Sequence, residues 1–148
     1  MRLTTRTNLA MRALMYCAVN DDRTVRTSEV AQRCNASENH LGQVINTLGH
    51  QGFIKTVRGR GGGMRLAQPP KSISVGRVMR MLESSTPFAE CFHIESNGCP
   101  ILPHCKLRGV LNGALEAFYS ELDGVTLHDL VHENTGLEQL FKSEIAAQ

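Results

Sequence analysis

The chain has 148 residues, 41% of them apolar and 20% charged. That length buries a core without staples, suits one compact domain with an appended oligomerisation element, and excludes two large domains; the composition excludes wholesale disorder. The formal net charge of +2 conceals an asymmetry, because residues 1–80 hold 13 Lys and Arg against 4 Asp and Glu, while residues 81–148 hold 3 against 10. A basic half of this size suits a polyanion such as DNA, and an acidic half is repelled from the same surface. The plain alternative is uneven solubilising charge. No apolar run approaches the roughly 20 residues that cross a bilayer, and MRLTTRTNLAMRAL lacks a signal-peptide core, so a cytoplasmic, non-membrane protein is expected.

Along the chain, residues 4–19 place Leu9, Met11, Leu14, Met15 and Ala18 at three- and four-residue spacings behind Thr4 or Thr5 as a cap. This spacing predicts an amphipathic helix. Asn20, Asp21 and Asp22 break it. A second, short helix starts at Thr27 and ends near Cys34 and Asn35, and Ser37 caps a third with Leu41, Val44, Ile45 and Leu48 on one face. Two short helices across a tight turn form a helix-turn-helix, which lays its second helix in the DNA major groove. Residues 53–58 and 64–66 have strand composition and flank Gly59-Arg60-Gly61-Gly62-Gly63, giving a β-hairpin with a basic tip. Placed directly after a helix-turn-helix, such a hairpin is the wing of a winged helix. The competing nucleotide-loop reading lacks both the P-loop Lys-Ser/Thr and a GxGxxG leading into a helix.

Beyond Pro69-Pro70, residues 74–83 form another amphipathic helix, and residues 84–103 make a long loop rich in Cys, Pro, Gly and Asn. From His104 or Cys105 to Leu122, apolar residues keep helical spacing over about five turns. A stripe that long in so small a domain is expected to bury against a second copy, or else across its own domain. Residues 126–131 predict a short helix, and the tail from Asn134 is expected to be less ordered. The fold class is therefore mainly α with a small β-hairpin wing. Residues 1–80 form the winged helix-turn-helix, and residues 81–148 hold the loop, the long dimerisation helix and the tail.

Five cysteines, an odd count, argue against a disulfide scaffold. Cys17 and Cys34 fall on apolar faces and read as core. Cys91, Cys99 and Cys105 lie in one loop with spacing C-x7-C-x5-C. Structural zinc favours paired short spacings such as CxxC, which are absent, whereas a wider thiolate loop suits an iron–sulfur cluster. Spacing alone leaves zinc, a cluster and a thiol switch open. His93 and His104, in or beside the loop, are secondary candidates. An enzyme finds no support, since no CxxC, HExxH, nucleophile elbow or acid–base pair is present.

Together MRLTTRTNLAMRAL, SENHLGQVINTLGHQGFI, TVRGRGGGMRL, ISVGRVMRMLE and the C-x7-C-x5-C loop resemble the Rrf-type family of iron–sulfur winged-helix transcription regulators. The resemblance spans almost the whole chain. Within the family, SENHL, RGRGGGMRL, AECF and VLNGAL through ELDGVTLHDLV are most similar to its nitric-oxide-sensitive repressors. The iron-responsive regulators compete on the opening residues and on ECF with the same cysteine spacing. The resemblance implies a homodimeric repressor of a palindromic duplex operator, with Cys91, Cys99 and Cys105 holding a cluster of the 4Fe-4S kind. In some members a histidine three residues after the last cysteine is the fourth ligand, but here that position is Arg108. In others it is a partner-subunit aspartate in the first helix, and the matching residue here is Asn8, a poorer iron ligand than a carboxylate. The fourth position is thus left to Asn8, to Glu90, to a small molecule, or open. On this reading Ser37, Asn39, His40 and Gln43 lie near base edges, and Arg58, Arg60 and Arg65 meet phosphate or the minor groove. Arg2, Arg6 and Arg12 add backbone charge.

Overall fold

The structure, a computed structural model, describes residues 3–93 and 97–142. Arg2 lies outside them. Helix α1 (Thr5–Val19) begins where the Thr4 hydroxyl accepts the Thr7 N–H at 3.2 Å. It is amphipathic, as expected, only in its first half, where Thr5, Arg6, Asn8 and Arg12 are exposed. Leu9, Ala10, Met11, Ala13, Leu14, Tyr16, Cys17, Ala18 and Val19 are all buried, so α1 is enclosed on nearly every side. Small residues account for the difference, because Ala10, Ala13 and Ala18 let neighbouring elements close on faces that the apolar spacing alone leaves open.

Helix α2 (Thr27–Arg33) starts with the Glu29 carboxylate accepting the Arg26 N–H at 3.2 Å. The chain then turns through Asn35, whose φ of 49° is left-handed, a conformation Asn tolerates better than most residues. Helix α3 (Glu38–His50) is capped as expected, Ser37 Oγ accepting the His40 N–H at 3.2 Å. Its apolar face, Leu41, Val44, Ile45 and Leu48, is buried.

Strands β1 (Ile54–Val57) and β2 (Gly63–Leu66) pair antiparallel, with Ile54 opposite Leu66 and Val57 opposite Gly63. The first strand is shorter at both ends than residues 53–58. Phe53 turns into the core instead, its carbonyl accepting the Ala67 N–H at 2.9 Å. Val25 clamps the hairpin through two bonds to Met64, at 3.0 and 2.8 Å. At the tip, Gly59 and Gly61 take φ of 102° and 87°, values that only glycine adopts readily.

After a 3₁₀ turn over Pro70–Ser72, helix α4 (Val75–Glu83) is capped by Ser74 and crosses α5 (Lys106–Asp123) at very short range. A Cβ on Gly76 would lie 2.6 Å from the Asp123 nitrogen and 2.9 Å from its Cα. Arg80 straps the same crossing, donating to Glu116 at 3.1 Å and Asp123 at 2.9 Å while stacking 4.5 Å over the Tyr119 ring. Exposed ion pairs are screened by solvent and contribute little, so the glycine contact decides how close the helices come. Helix α6 (Leu127–Val131) returns to the core through Leu127 N–H to the Ile73 carbonyl, 2.8 Å, and is capped mutually by Thr126 and Asp129.

One expectation changes in the C-terminal half. Of the tail expected to be less ordered from Asn134, residues 134–142 are ordered and the rest lies outside the described residues: α7 (Thr135–Lys142) is a helix capped by Asn134, which accepts the Leu137 N–H at 3.1 Å. Phe141 is buried against Tyr16 of α1, ring centroids 5.0 Å apart. The pattern behind the cap, Leu137 and Phe141 four apart, is the signal that was passed over. The α5 stripe, in turn, is covered only in part within one chain. Leu122 packs on the core, but Leu107 and Val110 are 61% and 67% exposed.

Replacing Gly76 by Ala is expected to destabilise the chain by about 2 kcal/mol, since the added methyl must push apart two helix backbones rather than a side chain. Urea unfolding followed by circular dichroism measures it; an unchanged midpoint would show that the crossing is looser than drawn.

Candidate nucleic-acid interface and thiol loop

The α2–turn–α3 unit and the hairpin lie on one continuous stretch of chain, and their polar residues are the ones left uncovered. Ser37, Asn39, His40 and Gln43 are exposed at the start and along the outer face of α3, opposite its buried apolar face. The Ser37 oxygen serves the cap, and its hydroxyl proton stays available for donation. Arg58 and Arg60 are exposed at the hairpin tip. Arg65 is half-buried and donates to the Asp21 carbonyl at 2.9 Å, which braces β2 against the turn after α1.

Two arginines read as backbone charge have internal partners as well. Arg6 donates to Thr47 Oγ1 at 2.9 Å, and that hydroxyl donates to the Gln43 carbonyl at 3.1 Å, joining the first turn of α1 to the middle of α3. Arg12 donates to the Cys34 carbonyl at 3.1 Å, holding the end of α2 against α1.

The second candidate region is the loop from α4 to α5. At its root Glu83 accepts both the Thr4 N–H, at 3.0 Å, and the Thr4 hydroxyl, at 2.9 Å. The loop therefore starts from a carboxylate bonded to the cap of α1. Burial pushes the Glu83 pKa up, but the Thr7 and Thr4 bonds outweigh it and leave the group below the usual carboxylate range. Sequence reading passed over Glu83, because nothing along the chain announces a partner 79 residues away.

Cys91 sits in a 3₁₀ turn (Glu90–Phe92), Cys99 precedes a turn, and Cys105 is the residue before α5. All three are half-buried and free of disulfides. Backbone and side-chain bonds fold the loop over. Glu90 accepts the Gly98 N–H at 3.3 Å, and Arg108 of α5 donates to the Cys91 carbonyl at 3.1 Å. Arg108 thus ties the loop down. Phe88 and Phe92 meet edge to face at 6.0 Å beside a groove of about 740 Å³ that Glu83, Leu115, Phe118 and Tyr119 also line.

Among the described residues, no three or more His, Cys, Asp or Glu side chains are gathered closely enough to hold a metal ion. The three thiols share one folded loop but do not form a closed cage. His93 and His104 are exposed, as is Asn8 on the first half of α1. The donor chemistry nonetheless fits an iron–sulfur cluster: three unpaired sulfur ligands in one segment, next to a helix whose apolar face is open.

Cys17 and Cys34 behave differently. Both are buried, as expected of core residues. Burial, reinforced by the neighbouring Cys34 thiol and opposed by Arg23, pushes Cys17 up to about 12, and burial raises Cys34 despite Arg12. Neither yields appreciable thiolate near neutral pH.

A family model described as "Rrf2: Iron-dependent Transcriptional regulator" matches residues 3–133. The HTH-type transcriptional regulator NsrR of Geobacillus kaustophilus is 39% identical over 143 residues, covering 96% of this chain and 97% of its own. That of Bacillus subtilis is 39% identical over 143 residues, with 96% and 98% covered. Protein aau3 of Rhizobium meliloti is 42% identical over 131 residues, 88% of this chain and 85% of its own. Among solved structures, T. potens IscR superposes with a TM-score of 0.71 at 27% identity, covering 88% of this chain and 86% of its own. The oxidised form of Staphylococcus aureus CymR gives 0.70 at 26%, covering 89% and 97%.

Thiol labelling separates the two cysteine sets. In the folded, metal-free chain a maleimide at pH 7 is expected to modify Cys91, Cys99 and Cys105 and to spare Cys17 and Cys34 until denaturant is added, as read by mass spectrometry. Five rapid additions without denaturant would contradict the buried placement of the first pair.

Proposed function

This chain belongs to the Rrf2 family of iron-dependent transcriptional regulators, and from that membership we propose that it is a homodimeric, cytoplasmic repressor whose hold on a palindromic operator is governed by an iron–sulfur cluster that senses nitric oxide. Its relatives and fold neighbours are transcriptional regulators, so it is a DNA-binding winged-helix protein and not an enzyme. The observation that carries the finer reading is the set of three free thiols, Cys91, Cys99 and Cys105, in one loop that is bonded to α5 and that follows directly on Glu83, the α4 residue bonded to the α1 cap. Near-full-length identity to chains named NsrR supports the nitric-oxide branch.

Each half has a distinct task. Ser37, Asn39, His40 and Gln43 reach base edges in the major groove, while Arg58 and Arg60 follow the sugar-phosphate backbone and Arg65 holds the hairpin against the turn after α1. The exposed Leu107 and Val110 of α5 pack against the same helix of a second copy, which sets the spacing of two α3 helices one helical turn of DNA apart.

Cys91, Cys99 and Cys105 would hold the cluster, which supplies iron that reacts with nitric oxide. Asn8 of the partner subunit, a weak neutral donor, is the candidate for the remaining position. The chain's own part is transmission. Gathering the three thiols draws in a loop whose root, Glu83, is bonded to the α1 cap, and α1 is bonded through Arg6 and Thr47 to α3. The other end adjoins α5, strapped to α4 by Arg80. A relaxed loop therefore alters both the seat of α3 and the α5 contact, so that loop state and DNA favour one arrangement of the dimer.

Anaerobic protein on its operator, titrated in parallel with nitric oxide and with an iron chelator, tests this directly. Nitric oxide is expected to release DNA from the wild type, and Cys99→Ala is expected to fold without iron or sulfide. Release by the chelator alone would make the chain an iron sensor. A colourless or zinc-containing wild type, or a Cys99→Ala variant with full iron content, would overturn the ligand assignment.

A further inference from the structure

Helix α3 carries a glycine, Gly42, in its exposed middle. Glycine inside a helix is destabilising relative to alanine, so its presence needs a cause. The fold supplies none. The Gly42 backbone is ordinary helix, and a Cβ built there meets nothing within 4 Å. Gly76, by contrast, is explained by Asp123, whose nitrogen would lie 2.6 Å from a Cβ built there.

The cause of Gly42 therefore lies outside the chain. Gly109 and Gly113 of α5 are equally open, but they accompany the exposed Leu107 and Val110, so an apolar protein surface accounts for them. Around Gly42 the surface is polar. Asn39 and Asn46 stand one turn before and one turn after it on the outward face, both exposed, and among the described residues nothing hydrogen-bonds their side-chain amides. Asn46 also lines a cleft of about 460 Å³ with Arg6, His40 and Thr47, which places a guanidinium beside this face.

We propose that Gly42 is the point where α3 lies closest to the floor of the major groove, its bare backbone against a thymine methyl, with Asn39 and Asn46 reading adenines on either side. The inference rests on the DNA-reading role given above. An asparagine amide matches adenine N6 and N7 in two bonds, and the thymine methyl is the base-edge group that projects into the groove and needs the room a missing side chain leaves. The partner is thus a duplex whose half-site carries A·T pairs at the positions facing Gly42 and its two asparagines.

The test is selection from a random duplex library by the full chain, purified anaerobically, alongside Gly42→Ala and Asn46→Ala. For Gly42→Ala, the expected result is an unchanged or higher melting temperature with about tenfold weaker binding to the site the wild type selects. Its preference for A·T at one position of each half-site is lost. Asn46→Ala is expected to lose its preference for adenine at a neighbouring position. Unaltered affinity and base preference in Gly42→Ala, or a wild-type site without A·T at these positions, would overturn the inference while leaving DNA reading intact. A wild type that enriches no sequence would overturn both.

Discussion

The burial of α1 is the constraint on which the rest of the molecule depends. With Ala10, Ala13 and Leu14 wholly inaccessible, α1 leaves only Thr5, Arg6, Asn8 and Arg12 to solvent, and α3, α4, α6, α7 and the hairpin all pack against it. Each large apolar side chain it buries contributes about 1.5–3 kcal/mol, so no neighbour moves far from α1 without exposing area worth a sizeable part of a domain's net stability. The core is correspondingly common to both charge halves: Leu127, Val131 and Phe141 from the acidic half complete a surface begun by α1 and α3.

The first turn of α1, a part of the helix that reaches solvent, is where the two ends of the proposed mechanism meet. Thr4 caps α1 and at once bonds Glu83 at the root of the thiol loop; Arg6, two residues on, bonds Thr47 of the recognition helix. Neither contact is strong alone. They matter because they lie two residues apart in one helical turn, so a shift at the loop root is passed to α3. The second route, from the loop through α5 to the Arg80 and Gly76 crossing, acts on the dimer face, and the two routes share α4.

Most of this was legible in the chain. Caps at Thr4 and Ser37, the apolar face of α3 and the glycine-flanked hairpin are local signals, and local hydrogen bonds decide them. The enclosure of α1 was harder to read, because alanine is silent in an apolar-periodicity count although it permits close packing. The α7 helix was masked by its terminal position, despite Asn134 and the Leu137–Phe141 pair. At the sites, residue types and spacing singled out the cysteines and the outer face of α3. Glu83, Arg6 and Thr47 were invisible, since their roles come from contacts across 41 and 79 residues of sequence. Asn46 lies one turn beyond the residues singled out near the start of α3, and Gly42 presents no side chain to mark it.

Transmission through α1 is tested most directly by amide hydrogen–deuterium exchange on the full chain with and without its cluster, in the absence of DNA. The expected result is slower exchange on loading in residues 84–105, in the first turn of α1 and along α3 together. Protection confined to the loop, with α1 and α3 exchanging at the same rate in both forms, would contradict it.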